Sequence, residues 1–380
     1  MIPYSTQSIT AAEIAAVSEV LTSGWLTQGP AVPLFEEQFA SLHVAPHAVA
    51  VSSATAGLHL ACLALGVGPA SRVWTSPISY VASANCARYC GAAVDFVDVD
   101  QRSGLMSIDA LRRKLETAQR ESALPDVVIP VDYAGQPCDL APMRELANAY
   151  GFRIVDDASH AVGALYRDAP IGSRYADLTV FSFHPVKIIT SGEGGLVLAH
   201  DDQLADTLRL LRSHGVTRDS ERMQRQNAPA WYYEQQALGY NYRMTDIQAA
   251  LGRAQLERLP ALARARQRLA ERYDTVFATS SLEPLIRHAD RRSALHLYPV
   301  RIPGGRRDTV FHTLREAGIG ANVHYYPIHL QPYYRRLGFG EEQFPKAEAY
   351  ASETLSLPLF PDLSDAQQDQ VIEVLQAALR

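Results

Sequence analysis

The feature that most constrains this 380-residue chain is the alternation of short apolar runs with segments of helical pattern. Each run is rich in β-branched or other apolar residues and ends in polar or small ones, as a strand inside a sheet does. The runs are AVAVS from residue 48, RVWTS from 72, AAVDFVDV from 92, DVVIPVDY from 126, FRIVDDAS from 152, LTVFSF from 178 and GLVLA from 195. This order of strands and helices predicts an α/β protein with a mainly parallel central sheet.

The pattern changes near residue 250. From Thr245 to about Arg272 the sequence predicts a long helix, which Pro260 is expected to kink or divide. Beyond it the sequence predicts a strand in ALHLYPVRI, a helix, a strand in ANVHYYP and two C-terminal helices. We therefore expect a large domain over residues 1–248 and a smaller C-terminal domain of helices and strands over residues 249–380.

The composition disfavours nucleic acid, membranes and metals as partners. The chain has a net charge of -6 and a pI near 6.1, with no long basic run and no apolar stretch of transmembrane length. The N-terminal residues lack the regions of a signal peptide, so we expect a cytoplasmic protein with small soluble partners. Of the four cysteines, Cys86 and Cys90 share one face of a predicted helix. They are expected to pack in the core, because no further metal ligands stand at suitable spacing.

The segment SFHPVKIITSGEGG, residues 182–195, places Lys187 between an apolar strand and a glycine-rich turn. A lysine before a turn is usually a solvated surface charge. Here the preceding strand is of the buried type, so the amine is expected to face a partly buried space that favours its neutral form. A neutral amine is a nucleophile, and enzymes use it to bind a carbonyl substrate or pyridoxal phosphate covalently.

Other turns supply the parts that a cofactor at Lys187 would need. Residues 53–57 lie where a strand meets a helix, so their N–H groups could bind a phosphate, with an ordinary N-cap as the alternative. Asp156 and Asp157 end an apolar strand, and only one can face a cofactor, because adjacent strand residues face opposite sides. That carboxylate would keep a pyridine nitrogen protonated, while capping or a surface charge is the alternative. Tyr80 is a candidate aromatic lid or a core residue.

Several motifs in order resemble those of the DegT/DnrJ/EryC1/StrS sugar aminotransferases, a family of fold-type I pyridoxal phosphate enzymes. They are SSATAGLHLA from residue 52, VDDASHA from 155, SFHPVK followed by GEGG, GYNYRMTDIQAALG from 239 and VHYYPIHLQPYY from 323. The resemblance extends from LTQGP near residue 26 to the C-terminal helix. Within the family, the N-terminal segment, SPISYVASANC, VDDASHA and VHYYPIHLQPYY are most similar to the transaminases of pseudaminic acid biosynthesis.

Carried over residue by residue, the resemblance makes Lys187 the lysine that binds the cofactor and Asp157 the partner of its ring nitrogen. It also implies contacts for a wider set: Thr55, Ala56 and Ser182 at the phosphate, Tyr80 and Ser159 at the ring, His160 near the cofactor oxygen or the substrate, and Asn241 from across a dimer interface. His324, Tyr325 and His329 match a segment that lines the nucleotide-sugar pocket, although a proline-anchored turn could use the histidines structurally. Arg243 could bind the carboxylate of the amino donor or form a structural ion pair.

The resemblance implies a homodimer that transfers the amino group of L-glutamate to a UDP-linked 4-keto-6-deoxy N-acetylaminohexose, releasing 2-oxoglutarate. The alternatives are the same reaction on another UDP- or dTDP-linked keto sugar, sugar dehydration with the same cofactor, and a non-catalytic regulatory protein. Relatives that dehydrate sugars have histidine in place of the lysine, and a regulatory protein is expected to lose the lysine or the aspartate. Lys187 and Asp157 therefore argue against the last two. Asp156 stands where many relatives have glutamate.

Overall fold

The computed structural model describes residues 1–380. Its helices are α1 Ala11–Thr22, α2 Ala31–His43, α3 Ala54–Ala64, α4 Ala82–Tyr89, α5 Ile108–Arg120, α6 Leu140–Tyr150, α7 Asp202–Arg212, α8 Asp246–Phe277, α9 Arg307–Glu316, α10 Pro332–Arg335, α11 Pro345–Glu353 and α12 Asp365–Ala378. Its strands are β1 His47–Val51, β2 Arg72–Thr75, β3 Ala93–Phe96, β4 Val127–Ile129, β5 Arg153–Asp157, β6 Leu165–Tyr166, β7 Ala169–Pro170, β8 Leu178–Ser182, β9 Gly195–Ala199, β10 Val216–Thr217, β11 Glu234–Gln235, β12 Glu283–Pro284, β13 Arg291–Arg292, β14 Tyr298–Arg301 and β15 Thr354–Leu357.

Seven strands form the central sheet, in the order β1-β9-β8-β5-β4-β2-β3. β9 is antiparallel to both of its neighbours and every other pair is parallel, so the predicted fold class is confirmed. Every residue of β8 and β9 is buried, which explains why these runs are continuously apolar. β1, β5 and β8 run in the same direction, so Ser52, Asp157 and Ser182 lie at the edge of the sheet where α/β proteins bind ligands.

Helix α8 connects two apolar cores. Its first half contributes Leu256 and Leu259 to a core of 65 buried residues around the central sheet. Its second half contributes Tyr273 and Phe277 to a core of 22 buried residues, which also contains residues of β14, β15, α9 and α12. The predicted domain boundary between residues 248 and 249 falls in the first turn of α8, and it stays a prediction.

Two local expectations differ from the structure. Pro260 does not divide α8, which is one helix of 32 residues. The segment ANVHYYP is not a strand: only Asn322 forms a bridge, with Ser356 of β15. The residues after Asn322 leave that sheet because Val323, His324 and Tyr325 line a cavity.

Two further expectations concern the packing of the cysteines and the absence of a transmembrane stretch. Cys86 is buried in the larger core, as predicted, and Cys90 is half-buried and packs against it. All four cysteines are free. None of the twelve helices has the length and the apolar content needed to cross a bilayer.

Candidate active site

Nine of the predicted site residues line one cavity of about 710 Å³ at the carboxyl edge of the central sheet. They are Thr55, Tyr80, Asp157, Ser159, His160, Ser182, Lys187, His324 and Tyr325. They come from five separate stretches of the chain, and the parallel strand order brings these stretches together. A cavity of this size, with a few ionisable groups on its walls, is typical of a small-molecule site.

Lys187 lies in the loop between β8 and β9, and its N–H donates to His184 O at 2.9 Å. Its amine forms no ion pair and no hydrogen bond within the chain. Burial lowers the pKa of Lys187 to about 8, an effect that the nearby charge of Asp157 partly opposes. A substantial fraction of the amine is therefore neutral at physiological pH, as a nucleophile or a base requires.

The two aspartates at the end of β5 face different surroundings. Asp157 lines the cavity, where Oδ2 accepts a hydrogen bond from Ser83 Oγ at 2.6 Å and Oδ1 accepts one from Ser159 Oγ at 2.5 Å. Asp156 is fully buried and neither of its carboxyl oxygens has a partner. Burial, with the nearby charges of Asp132 and Asp157, raises the pKa of Asp156 far above its usual value. Of the two aspartates, only Asp157 therefore presents an oriented carboxylate to the cavity.

The N-terminus of α3 forms one end of the cavity. Ser53 caps the helix, and its Oγ accepts the N–H of Ala56 at 3.1 Å. The other N–H groups of the first turn have no partner inside the helix, so they can bind an anion beside the hydroxyls of Thr55 and Ser182. Ala56 does not line the cavity and its N–H already serves the cap. We therefore leave Ala56 out of the site.

A glycine lets β9 begin against this helix terminus. A Cβ atom at Gly195 would lie 2.6 Å from Ala54 N and from Ser53 C, which is closer than real contacts allow. Gly192, earlier in the same turn, has a φ of +82°, which L residues rarely adopt. Steric constraints at Gly192 and Gly195 therefore explain these two glycines of the GEGG segment without reference to Lys187.

Aromatic and imidazole rings form the other walls. Tyr80 is 64% exposed, so it is not a core residue and its ring is free to cover a ligand. The hydroxyl of Tyr325 lies 3.2 Å from His160 Nε2, while His160 Nδ1 is buried without a partner. Burial, with the charge of Lys187, lowers the pKa of His160 well below its usual value and that of His324 to about 3. Both imidazoles are therefore neutral and can donate or accept.

Besides Ala56, three predicted residues lie outside the cavity. His329 is buried and its Nε2 lies 3.1 Å from Glu348 Oε1 of α11, so it joins its turn to that helix, and we leave it out of the site. Asn241 is exposed and forms a bridge with Ser213. Arg243 forms a bridge with Val51 and has no carboxylate partner within the chain, so the structure does not bear out the ion-pair alternative.

Sequence reasoning missed several lining residues, of which Tyr4 and Ser83 matter most. Ser83 orients Asp157 and stands one helical turn after Tyr80, so the same motif could have indicated it. Tyr4 lies in the N-terminal segment, whose resemblance to the family does not indicate which of its residues reaches the site. The other missed residues are Ser52, Leu58, Ser79, Ala82, Val131, His184, Val186, Glu193, Asn322 and Val323.

The residues present fit pyridoxal phosphate. The free amine of Lys187, the fixed carboxylate of Asp157 and the helix terminus at Thr55 match the aldehyde, the ring nitrogen and the phosphate of that cofactor. The fold and the cavity together define a pyridoxal-phosphate-dependent enzyme of fold type I.

Comparison with known proteins identifies the family. The model of the DegT/DnrJ/EryC1/StrS aminotransferase family matches residues 7–376, so the chain belongs to that family, whose cofactor is pyridoxal phosphate. Over 99% of this chain and 96% of the relative, the chain is 39% identical to the spore coat polysaccharide biosynthesis protein SpsC of Bacillus subtilis (strain 168).

Solved structures agree. Spr1654 of Streptococcus pneumoniae in its PMP form has a TM-score of 0.90 and is 33% identical, covering 100% of this chain and 99% of that chain. Helicobacter pylori PseC, an aminotransferase involved in the biosynthesis of pseudoaminic acid, also has a TM-score of 0.90. It is 29% identical with the same coverage. The chain is a pyridoxal-phosphate-dependent sugar aminotransferase by family.

Proposed function

We propose that this enzyme transfers the amino group of L-glutamate to C4 of a UDP-linked 4-keto-6-deoxy sugar, UDP-2-acetamido-2,6-dideoxy-β-L-arabino-hexos-4-ulose. The product is a 4-amino sugar nucleotide for pseudaminic acid biosynthesis. The observation that carries the transamination is the free, partly neutral amine of Lys187 in a cavity that also presents Asp157. The choice of sugar is supported by the sequence motifs and by the similarity to PseC.

Each residue has a separate task in this proposal. When bound, pyridoxal phosphate condenses with primary amines, and its protonated ring stabilises negative charge on the neighbouring carbon. Asp157 keeps the ring nitrogen protonated, and Ser83 and Ser159 hold the carboxylate in place. Lys187 binds the cofactor and, once released, moves a proton between the two carbons that exchange the amine. Thr55 and Ser182 bind the phosphate, and Tyr80 covers the ring.

The remaining cavity residues bind the substrates. His160 and Tyr325, which are hydrogen-bonded to each other, contact the substrate, and His324, which lines the same cavity, binds the sugar. Arg243 does not line the cavity of the single chain, but its guanidinium has no carboxylate partner, which supports a role in binding the carboxylate of glutamate.

We further propose a cytoplasmic homodimer with shared sites. Lys187 is the only lysine or arginine that lines the cavity, yet a nucleotide sugar and glutamate both bring negative charge. Asn241 is exposed, as is Trp231 nearby in the same segment, which supports a second chain covering this surface. In this arrangement Asn241 of one chain completes the phosphate site of the other.

A panel of nucleotide-linked 4-keto sugars tests the choice of substrate. The purified enzyme, with glutamate as donor, is assayed against UDP- and dTDP-linked 4-keto-6-deoxy sugars, with and without the N-acetyl group. We expect the highest kcat/KM for the UDP-linked N-acetylated sugar. A dTDP-linked sugar with a kcat/KM at least about tenfold higher would replace this proposal by the alternative, an aminotransferase for another keto sugar.

A further inference from the structure

Residues 2–8, here called the N-terminal strap, begin on the second apolar core and continue to the larger one, against which Tyr4 packs. Ile2 belongs to that core, and its carbonyl accepts the N–H of Gly320 at 2.6 Å. The carbonyl of Tyr4 accepts the N–H of Leu359 at 3.0 Å. The backbone on both sides of the Tyr4 side chain is therefore held in place.

The strap then reaches the loop of the reactive lysine. The hydroxyl of Ser5, which is buried, donates to Val186 O at 3.0 Å, one residue before Lys187. Next to it, the half-buried ring of Tyr4 lines the cavity at 5.2 Å from the ring of His324. The Tyr4 hydroxyl has no hydrogen-bond partner within the chain. Burial raises the pKa of Tyr4 above its usual value, so this hydroxyl keeps its proton.

The cavity lining combines two kinds of side chain. Lys187, Asp157 and Glu193 are ionisable. Around Tyr4 the lining also contains neutral polar and apolar groups: Asn322, Val323, His324 and Tyr325. An uncharged sugar ring, with hydroxyls on its rim and C–H groups on its faces, suits these neutral groups, since aromatic rings pack on such faces and polar tips bind hydroxyls.

We propose that Tyr4 is a substrate-binding residue, whose ring packs against the sugar of the nucleotide sugar and whose hydroxyl donates a hydrogen bond to a sugar oxygen. This inference rests on the proposed function, because it assumes that a nucleotide sugar enters the cavity. The contact belongs to the second half-reaction alone, because glutamate is small and charged at both ends and does not need a neutral ring or hydroxyl at this position.

Measuring the two half-reactions separately tests this assignment. Tyr4→Phe removes only the hydroxyl. We expect KM for the best sugar of the panel to rise about 3- to 10-fold, as loss of a neutral hydrogen bond predicts, while the reaction with glutamate alone stays within about twofold. Tyr4→Ala should raise KM further. The rise in unfolding temperature that the same sugar causes should be smaller in both variants. Tyr326→Phe, at an exposed tyrosine outside the cavity, is the matched control and should change nothing.

Two results would overturn the inference and leave the proposed function intact. One is an unchanged KM for the sugar in both Tyr4 variants. The other is an equal loss in both half-reactions, which would mean that the strap acts through Ser5 and Val186 on the Lys187 loop. A wild-type enzyme that accepts no sugar of the panel would instead remove the proposed function, and the Tyr4 contact with it.

Discussion

At the scale of single residues, the site depends on which of two adjacent carboxyls is charged. Asp157 is held by two serine hydroxyls, whereas Asp156 has no partner and burial favours its protonated form. A strand alternates its faces, so one side chain enters the cavity and the other enters the protein interior. The same substitution can therefore be made at Asp157, which faces the cavity, and at Asp156, which faces the interior, and the two effects can be compared.

Replacement of each aspartate by asparagine should give opposite results. Asp157→Asn removes the charge at the ring nitrogen, so kcat should fall at least about 100-fold with little change in the free energy of unfolding. Asp156→Asn imitates a protonated carboxyl, so kcat should stay within about threefold and stability at pH 8 should be equal or higher. Steady-state kinetics and urea unfolding measure both quantities. A larger loss of kcat in Asp156→Asn would show that the register of β5 has been misassigned.

At the scale of secondary-structure elements, the contact between β9 and the start of α3 shapes the phosphate end of the cavity. Gly195→Ala should push the first turn of α3 away from the sheet, destabilise the protein by about 1–3 kcal/mol and weaken retention of the cofactor. Gly68→Ala is the control, because a Cβ atom there meets nothing within 4 Å. Thermal unfolding and cofactor loss on dialysis measure the difference. Equal behaviour of the two variants would contradict this steric account.

The sequence predicts the secondary-structure elements better than it predicts the residues that line the cavity between them. β1, β5 and β8 are apolar runs with clear ends, so the strand ends that carry Asp157 and Ser182 could be located. Tyr4 could not, because the contacts that place it at the cavity are with residues more than 300 positions away: Leu359 at its carbonyl and His324 at its ring. His329 stands beside true lining residues in its motif, but its partner Glu348 lies on another helix. The local sequence pattern therefore indicates where strands end, but not which distant residues meet at the cavity.

At the scale of the whole molecule, a role for Asn241 in the partner's site predicts that two inactive variants regain activity when they are mixed. A monomer with a complete site could not show this recovery. In a shared-site dimer, Lys187→Ala removes the lysine from the chain's own site. Asn241→Asp instead damages the phosphate contact that the chain makes in its partner's site. Mixing them equally makes about half of the dimers mixed, each with one intact site of two, so about a quarter of wild-type activity should return. The mixture must first be shown to exchange subunits, and Asn241→Asp must itself be severely impaired. With both conditions met, no recovery, or full activity in a stable monomer, would refute shared sites.

The central claim is that Lys187 carries the cofactor, and the composition makes it directly testable. The chain has three lysines, of which Lys114 pairs with Asp95 and Lys346 is exposed on α11. Borohydride reduction of the yellow holoenzyme, followed by digestion and mass spectrometry, locates the lysine that becomes labelled with a pyridoxyl group. We expect loss of the absorbance at about 420 nm and a label on the Lys187 peptide alone, with none in Lys187→Ala. A label on Lys114 or Lys346, or no label on a protein that still transfers amines, would contradict it.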